Sequence, residues 1–307
     1  EFDSEFIIQT ICRAIEKNGH KVVRIGSFAD LLSGLDNVKK NIDVVFNLSE
    51  GLFGRNREAW VPTVLESAGI PFIGSDALTM SLTLDKVATK KFLIADGIPT
   101  PGYFATDTPL TLDQPVPLSF PLIVKPQWEG SSKGITKNSK VMTKEELNEQ
   151  ILFIGEKYHQ PALIEEFIAG REFTIGIIGN GKNLEVFPVI EITYRGEPLG
   201  KKYYFGRYVN TSDMRLICPA TIDVKLSNTL KELAKHVYLS VDCRDIGRVD
   251  IRVDEKENPF VLEINPLPAL SRQDAFGTFA KVLKISYSAM IEKILSASFR
   301  RYGIAEK

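Results

Sequence analysis

Hydrophobic residues in the first quarter of the chain alternate between helical spacing and short apolar runs. Apolar side chains recur every three or four positions from residue 4 to 18, and Asn18-Gly19 ends that helix. The predicted elements that follow are strand 21–25, helix 28–40, strand 43–46, helix 59–68 and strand 71–73. This order favours a small parallel sheet with crossover helices. Because such a domain usually opens on a strand, we expect a strand and its turn to precede Glu1.

The pattern in the middle of the chain predicts an α+β unit. A helix at 84–97 is followed by a proline-rich connector at 106–121 and a strand at 122–124. Thr143, with Glu146 three residues later, predicts the start of a helix that runs to residue 158. A further strand begins at Leu163.

The last part of the chain is rich in predicted strands and closes with a helix. Its predicted elements are strands 173–178 and 186–192, a polar aromatic stretch 200–210, helix 224–239, a β-hairpin at 247–266 and helix 275–295.

The hairpin carries the first chemical hypothesis. With a polar turn at 254–258, Asp250 lies opposite Glu263 and Arg248 lies opposite Asn265, all on one face. Two opposed carboxylates repel each other unless a cation lies between them, and Mg²⁺ takes oxygen ligands from one or two carboxylates and from substrate phosphates. The sequence therefore predicts a Mg²⁺–nucleotide site here; a solvated face with scattered charges is the alternative.

Composition narrows the class of protein. The 307 residues are 44% hydrophobic and 25% charged, which is typical of a globular protein of about two or three domains. A net charge of −1 gives no reason to expect nucleic acid as a partner, and no apolar run is long enough to cross a membrane. Cys12, Cys218 and Cys243 are widely spaced and odd in number, so we expect reduced thiols and a cytoplasmic protein.

A loop after the strand at 122–124 has phosphate-binding chemistry. Gly130, Ser131, Ser132 and the following lysine offer backbone N–H groups and hydroxyls, while Lys125 on the strand can reach an inner phosphate. The alternative is a mobile surface loop. A helix that carries several lysines precedes this loop. A lysine of that helix that is directed inward would reach phosphate; the alternative is that the lysines form a solvated basic face.

The stretch 163–172 suits an adenine pocket. Phe167 and Ile168 would pack against the base, strand edges would bind its polar atoms, and Glu172 would accept hydrogen bonds from ribose. A strand end with solvated acids is the alternative. Residues 47–57 follow a predicted parallel strand, where ligands bind, but they fit an ordinary loop equally well.

In this order, the stretches resemble the ATP-grasp superfamily over nearly the whole chain, and D-alanine–D-alanine ligases within it. The matching stretches are TLDK at 83–86, GIPTPGY at 97–103, FPLIVKPQWEGSSKG at 120–134, IEEFIAGREFT at 164–174, CPA at 218–220 and GRVDIRVDEKENPFVLEINP at 247–266.

The resemblance implies a mixed α/β and α+β protein with the ATP-grasp fold, in which ATP lies between a central and a C-terminal domain. The expected domains are an N-terminal α/β substrate domain 1–79, a central subdomain 80–163 and a catalytic domain 164–307. The expected reaction joins two amino acids through an acyl phosphate, with ATP and two Mg²⁺ ions, or Mn²⁺ instead. A homodimer is also expected.

The resemblance also implies roles for individual residues. Those expected to bind nucleotide are Lys86, Lys125, Ser131, Ser132, Glu165, Glu166, Phe167, Ile168, Glu172 and Arg207. Those expected to hold Mg²⁺ are Asp250, Glu263 and Asn265, which agrees with the hairpin argument. Those expected to be catalytic are Arg248, which would stabilise the oxyanion, with Ser131 and Tyr208. Arg207 replaces a lysine of the family, and arginine keeps the charge but changes its geometry.

Departures from the family pattern concern the substrates. The family's Gly-rich turn with the glutamate that grips the first amino acid is not visible: either it belongs to the segment expected before Glu1, or Glu50 or Glu58 takes its place. Asp274 falls where the family has a serine that holds the acceptor carboxylate, and an aspartate repels a carboxylate. Either Arg272 turns inward to compensate, with Arg248 nearby, or the acceptor is not free D-alanine. The alternatives are a dipeptide or amide ligase for other amino acids, including L-amino acids, and a non-catalytic nucleotide-binding protein.

Overall fold

The computed structural model describes residues 4–200 and 213–305. Within these residues the chain contains both long and short helices. They are α1 Glu5–Lys17, α2 Phe28–Ser33, α3 Leu35–Asn41, α4 Trp60–Ala68, α5 Ala77–Leu84, α6 Lys86–Ala95, α7 Lys144–Tyr158, α8 Val224–Ser240, α9 Ala275–Val282 and α10 Tyr287–Tyr302, with a single 3₁₀ turn at Arg57–Ala59. Across the described ranges, no helix has the length and apolar character needed to span a bilayer.

The strands of the described residues form three sheets. They are β1 Val45–Phe46, β2 Phe72–Ile73, β3 Tyr103–Thr106, β4 Leu122–Pro126, β5 Lys140–Val141, β6 Ala162–Glu166, β7 Gly170–Asn180, β8 Asn183–Val186, β9 Ile190–Tyr194, β10 Glu197–Pro198, β11 Met214–Ile217, β12 Asp245–Asp254 and β13 Pro259–Asn265.

The N-terminal sheet consists of β1 and β2, paired in parallel as the pattern predicts. The predicted strand at 21–25 is wrong: these residues have no strand partner in the described chain. Val22 and Ile25 pack against buried cores while Val23 is exposed, so the apolar residues of this run reflect side-chain packing without a hydrogen-bonded ladder. The predicted helix at 28–40 is interrupted at Gly34, which caps α2.

The central sheet has the order β3-β6-β4-β5 and is antiparallel. Helix α7 covers it, and the core between them contains Leu122, Val124, Ile151 and Ile164. Thr143 caps α7 by accepting a hydrogen bond from the Glu146 backbone, as predicted. The expected domain boundary at 163/164 falls inside β6, and the division into three domains stays a prediction.

The largest sheet runs β10-β9-β7-β12-β13, with β8 and β11 on its flanks, among the described residues. The hairpin register is confirmed, because Arg248 pairs with Asn265 and Asp250 with Glu263. A strict alternation along the second hairpin strand would place Phe260, Leu262 and Ile264 on one face, and this prediction is wrong. A bulge shifts the register so that Ile251 pairs with Val261, and the buried side chain is Val261 rather than Leu262.

The closing segment differs from prediction in one respect. The predicted helix at 275–295 is two helices, because the chain leaves α9 after Val282 and α10 starts at the Ser286 cap. Helix α1 packs on α10 through Ile11 and Ile15, so both ends of the chain share one core.

Candidate active site

A cleft opens where the N-terminal loop, the central sheet and the hairpin meet. Several of the expected site residues share it although they are far apart in sequence. The charged and polar side chains that line it include Glu50, Glu58, Lys86, Ser131, Glu263 and Asn265, beside the apolar Leu84 and Leu267.

The hairpin face supplies the negative charge of the site. Asp250 is buried and accepts hydrogen bonds from Thr174 Oγ1 at 2.5 Å, Arg248 Nε at 3.0 Å and Asn265 Nδ2 at 3.1 Å. Glu263, opposite Asp250, pairs through Oε2 with Lys86 Nζ at 3.2 Å. Burial would raise the pKa of Glu263, but Lys86, Lys125 and Arg248 outweigh it and lower that pKa to about 2.

These residues fit a magnesium ion. In residues 4–200 and 213–305, no group of three His, Cys, Asp or Glu side chains is placed to hold a metal by itself. Asp250, Glu263 and Asn265 nevertheless offer two carboxylates and an amide oxygen on one face. This donor set suits a hard divalent ion that takes its other ligands from water and substrate phosphates.

The phosphate loop is tied to the same face by Lys86. Lys86 Nζ donates to the Glu129 carbonyl at 2.8 Å in addition to its pair with Glu263. Ser131 and Ser132 follow with φ angles of 49° and 55°, a left-handed conformation that is uncommon outside glycine. The loop therefore holds a tight turn at the cleft rather than an extended strand.

Lys125 lies on β4, the strand that precedes this loop. It is buried and forms an ion pair with Glu165 Oε2. Burial alone would lower the pKa of Lys125, but the attraction of Glu165, Glu263 and Glu172 raises it instead. Lys125 therefore stays protonated and carries a positive charge.

Glu172 lies on β7, directly opposite Arg252 on the neighbouring strand β12. Its Oε2 atom is 3.2 Å from Arg252 Nε, and both side chains are buried. Burial, together with the nearby Asp250 and Glu263, raises the pKa of Glu172 against the opposing charge of Arg252.

The residues expected to surround adenine have mixed surroundings. Phe167 lies under two cations, with Lys140 Nζ at 4.1 Å and the Arg252 guanidinium carbon at 4.9 Å from the ring centroid. The Ile168 carbonyl accepts a hydrogen bond from Arg252. The Glu166 carboxylate accepts one from the Gly102 backbone, next to β3.

Two arginines dock the N-terminal loop onto the base of the phosphate loop. Arg57 is buried, donates to the Trp128 carbonyl at 2.7 Å and lies 3.3 Å from Glu129 Oε2. Arg55 pairs with Asp85, which caps α6, at 2.9 Å. The loop that carries Glu50 and Glu58 is thus fixed against the phosphate-binding region.

Arg272 and Asp274 do not pair with each other in the described part of the chain. The Arg272 guanidinium lies 5.0 Å from the Tyr287 ring centroid, while Asp274 accepts a hydrogen bond from the Ser271 backbone. Asp274 is near enough to Arg248 to help raise the pKa of that guanidinium. Arg207 and Tyr208 lie outside the described residues.

Known proteins are similar to this chain in sequence and in architecture. A sequence profile described as the D-ala D-ala ligase C-terminus matches residues 98–296. The D-alanine–D-alanine ligase of Carboxydothermus hydrogenoformans is 35% identical over 293 residues, covering 93% of this chain and 90% of that protein. The chain belongs to the D-alanine–D-alanine ligase family.

Two further relatives agree with that placement. An uncharacterised protein of Sinorhizobium fredii, y4sG, is 34% identical over 304 residues, covering 96% of this chain and 88% of the relative. The crystal structure of D-alanine–D-alanine ligase from Bacillus anthracis complexed with ATP superposes with a TM-score of 0.76 at 25% identity, covering 99% and 96% of the two chains. The ATP-grasp fold expected from the sequence is confirmed.

Some residues of this ligase-family site were not anticipated from the sequence. Arg252 holds Glu172, and Thr174 donates to Asp250. A signal existed for Arg252, because it alternates with apolar residues on the same strand face as Arg248 and Asp250. Thr174 needed the tertiary pairing of β7 with β12 to be known. Lys90, a candidate on the lysine helix, does turn inward, but its contact is with Glu165.

Proposed function

We propose that this protein activates the carboxylate of one amino acid with ATP and joins it to the amine of a second, with D-amino acids as the preferred class. The protein is an ATP-dependent ligase that forms C–N bonds, and divalent metal use goes with that family. The observation that carries the proposal is the cleft that brings Glu50, Lys86, Ser131, Glu263 and Asn265 together.

The proposed reaction has two steps. In the first, a carboxylate oxygen of the donor amino acid attacks the terminal phosphorus of ATP, ADP leaves, and an acyl phosphate forms. In the second, the amine of the acceptor attacks the acyl carbon, phosphate leaves, and the new amide nitrogen loses a proton. Arg248, held by Asp250 on the hairpin face, would stabilise the oxyanion of the second step.

The protein's own charges suit the binding of a triphosphate. Lys86 and Lys125 would hold phosphates, and the backbone at Ser131 and Ser132 would cover them. Asp250, Glu263 and Asn265 would hold Mg²⁺, two ions by our proposal, which neutralises phosphate charge when bound.

Other residues would bind the rest of the nucleotide and the amino acids. Glu172 would accept from ribose, next to an adenine pocket formed by Glu165–Ile168 and the strand end around it. Glu50 and Glu58, at the cleft, would bind the ammonium group of the donor. We keep the domain division 1–79, 80–163 and 164–307 as a proposal.

A second candidate concerns the acceptor. Arg272 lies over Tyr287 and does not neutralise Asp274. A carboxylate next to the acceptor site disfavours an acceptor with a free carboxylate of its own. An amine whose neighbouring carboxylate is blocked as an amide is therefore the alternative acceptor class.

We further propose that the protein works in the cytoplasm as a homodimer. Its three cysteines are free thiols, which suits a reducing compartment. Sedimentation velocity of the purified chain tests the dimer, and a single species of monomer mass would contradict it.

The test of the proposed function is ADP release with Mg²⁺, ATP and a paired panel of D- and L-amino acids, with D-alaninamide added as an acceptor. We expect release with D-amino acids and a dipeptide mass in the product. The double variant Asp250→Asn with Glu263→Gln should reduce turnover by at least about a hundredfold, since both metal carboxylates are lost.

The outcomes separate the candidates. Turnover with D-alaninamide but not with D-alanine as acceptor selects the amide acceptor. Turnover with L-amino acids alone overturns the D-amino acid assignment. ATP binding without ADP release across the whole panel overturns the ligase proposal and indicates a nucleotide-binding protein.

A further inference from the structure

Lys90 is a charged residue that the proposed reaction does not use. Its side chain is only 1% exposed, and it lies one helical turn after Lys86 on α6. Lys86 lines the cleft, whereas Lys90 is absent from the cleft wall formed by the described residues. Lys125 is absent from that described wall as well, so the two buried lysines differ in the partners that hold them.

Fixed contacts on several sides hold the Lys90 ammonium group. It forms an ion pair with Glu165 Oε1 on β6 and donates to Thr100 Oγ1 at 2.6 Å. Thr100 in turn donates to the Val261 carbonyl on β13 at 2.8 Å, and the Tyr103 ring centroid is 5.6 Å from Lys90 Nζ. The group is thus tied to both the central sheet and the hairpin.

Glu165 is the shared partner of two lysines. One oxygen contacts Lys90 and the other contacts Lys125, and the Glu165 side chain is 1% exposed. Burial would raise the pKa of Glu165, but Lys125 and Lys90 together lower it, so the carboxylate stays ionised. One buried negative charge is therefore held by two positive charges.

The two lysines differ in what else surrounds them. Lys125 is also attracted by Glu263, which lines the cleft, and by the buried Glu172. Lys90 is repelled by Lys125 and Lys86, and its contacts are with Glu165 and Thr100. Lys125 therefore has acidic groups other than Glu165 near it, one of them at the cleft.

A buried carboxylate that loses its only counter-ion strongly destabilises the folded protein. If Glu165 depended on Lys125 alone, moving that ammonium toward a phosphate would carry this penalty. A second, immobile lysine removes most of it.

We propose that Lys90 is a positioning residue for nucleotide binding: it is the permanent counter-ion of Glu165, which leaves Lys125 available to the phosphates of ATP. This inference rests on the proposed function, because it takes Lys125 as a phosphate-binding residue. Its effect should be confined to the phosphate part of the nucleotide.

The test is calorimetric binding of Mg·ATP and competition by adenosine for Lys90→Met, Lys90→Arg and the wild type. We expect Lys90→Met to weaken Mg·ATP binding by about tenfold or more and adenosine binding by less than about twofold. Lys90→Arg keeps the charge and should restore most of the Mg·ATP affinity. Lys91→Met, at an exposed neighbouring position, is the matched control and should bind as the wild type does.

A second pair of variants, made in the Glu165→Gln protein, distinguishes the proposed role of Lys90 from a simple folding defect. In Glu165→Gln the carboxylate that needs a counter-ion is gone, so adding Lys90→Met should change Mg·ATP affinity by less than about twofold. The inference is overturned if Lys90→Met binds Mg·ATP normally, loses ATP and adenosine equally, or has its full effect in the Glu165→Gln background. If Lys90→Met does not fold, the Glu165→Gln pair of variants decides.

The failure of the proposed function would look different. Mg·ATP binding is measured here without any amino acid. A wild type that binds Mg·ATP but releases no ADP with any amino acid contradicts the ligase proposal and leaves the role of Lys90 intact.

Discussion

Single charged residues at this site are held by partners from other elements, and Glu263 shows the consequence for acid stability. Its pKa is lowered to about 2, because Lys86, Lys125 and Arg248 outweigh its burial. The unfolded chain takes up the proton near pH 4.5, the ordinary value, while the folded protein resists it. Its stabilising contribution is therefore complete above pH 4.5 and is lost as the pH falls toward 2.

We therefore expect Glu263→Gln to flatten the dependence of unfolding free energy on pH between about 4.5 and 2. At neutral pH the loss should be about 1 kcal/mol, since the Glu263 side chain is 30% exposed and its ion pair is screened. Urea unfolding at several pH values measures both. Glu232→Gln, on the exposed face of α8, is the control, and an equal flattening there would contradict the assignment.

The sequence indicated the charged residues of the site better than it indicated their partners. Asp250, Glu263 and Asn265 could be placed on one face because strand alternation is a local rule. The alternative for the lysine helix, a solvated basic face, holds for Lys91 but not for Lys86 or Lys90. Which lysine turns inward depends on Glu165 and Glu263, and no local pattern encodes that pairing.

At the scale of elements, the hairpin was predictable in register but not in detail. The polar turn and the alternation fix the pairs Asp250–Glu263 and Arg248–Asn265. The bulge beside Leu262 was not predictable, because Val261 and Leu262 are both apolar and either could face the core. The mistaken strand at 21–25 has the opposite cause: a short apolar run was present, but the neighbouring strand that would complete a ladder is absent from the described chain.

The start of β7 gives a test at this scale. Gly170 has a φ angle of +152°, and a Cβ atom there would lie 1.9 Å from the Val253 carbonyl oxygen on β12. Gly170→Ala must push β7 away from β12 and so loosen the pair of Glu172 with Arg252. We expect a loss of about 3 kcal/mol or more in unfolding free energy, with weaker ATP binding.

The matched control for Gly170 is a glycine with free space around it. Gly181 has a φ angle of +54° and no heavy atom within 4 Å of an added Cβ. Gly181→Ala should cost only about 1 kcal/mol, from backbone strain alone. Urea denaturation compares the two, and similar losses would show that the close approach at Gly170 is unimportant.

At the scale of the whole molecule, a buried ion pair joins the N-terminal sheet to the largest sheet. Asp245, at the start of β12, is fully buried and accepts from Arg301 Nη2 of α10 at 2.6 Å and from the Gly74 backbone at 2.9 Å. Arg301 also donates to the Phe72 carbonyl on β2 at 2.7 Å. These contacts hold β12, and with it Arg248 and Asp250, against the N-terminal segment.

Arg301→Met should destabilise the protein by about 3–5 kcal/mol, because it leaves a buried carboxylate without its counter-ion. The exposed pair of Arg24 with Glu5 is the control, and Arg24→Met should cost less than about 1 kcal/mol. Thermal and urea unfolding measure both variants. Comparable losses would mean that Asp245 is stabilised without help from Arg301, by the Gly74 backbone N–H and by Asn180 Nδ2, which donates to Asp245 Oδ1 at 2.8 Å.

The buried Arg57 links the region proposed to bind amino acids with the region proposed to bind nucleotide. A displacement of Trp128 or Glu129 on one side of it would be transmitted to the loop of Glu50 and Glu58 on the other. Such communication obeys reciprocity: the factor by which nucleotide tightens the hold on an amino acid equals the factor by which the amino acid tightens the hold on nucleotide. The final ternary complex is then equally stable whichever substrate arrives first, and only the route to it differs.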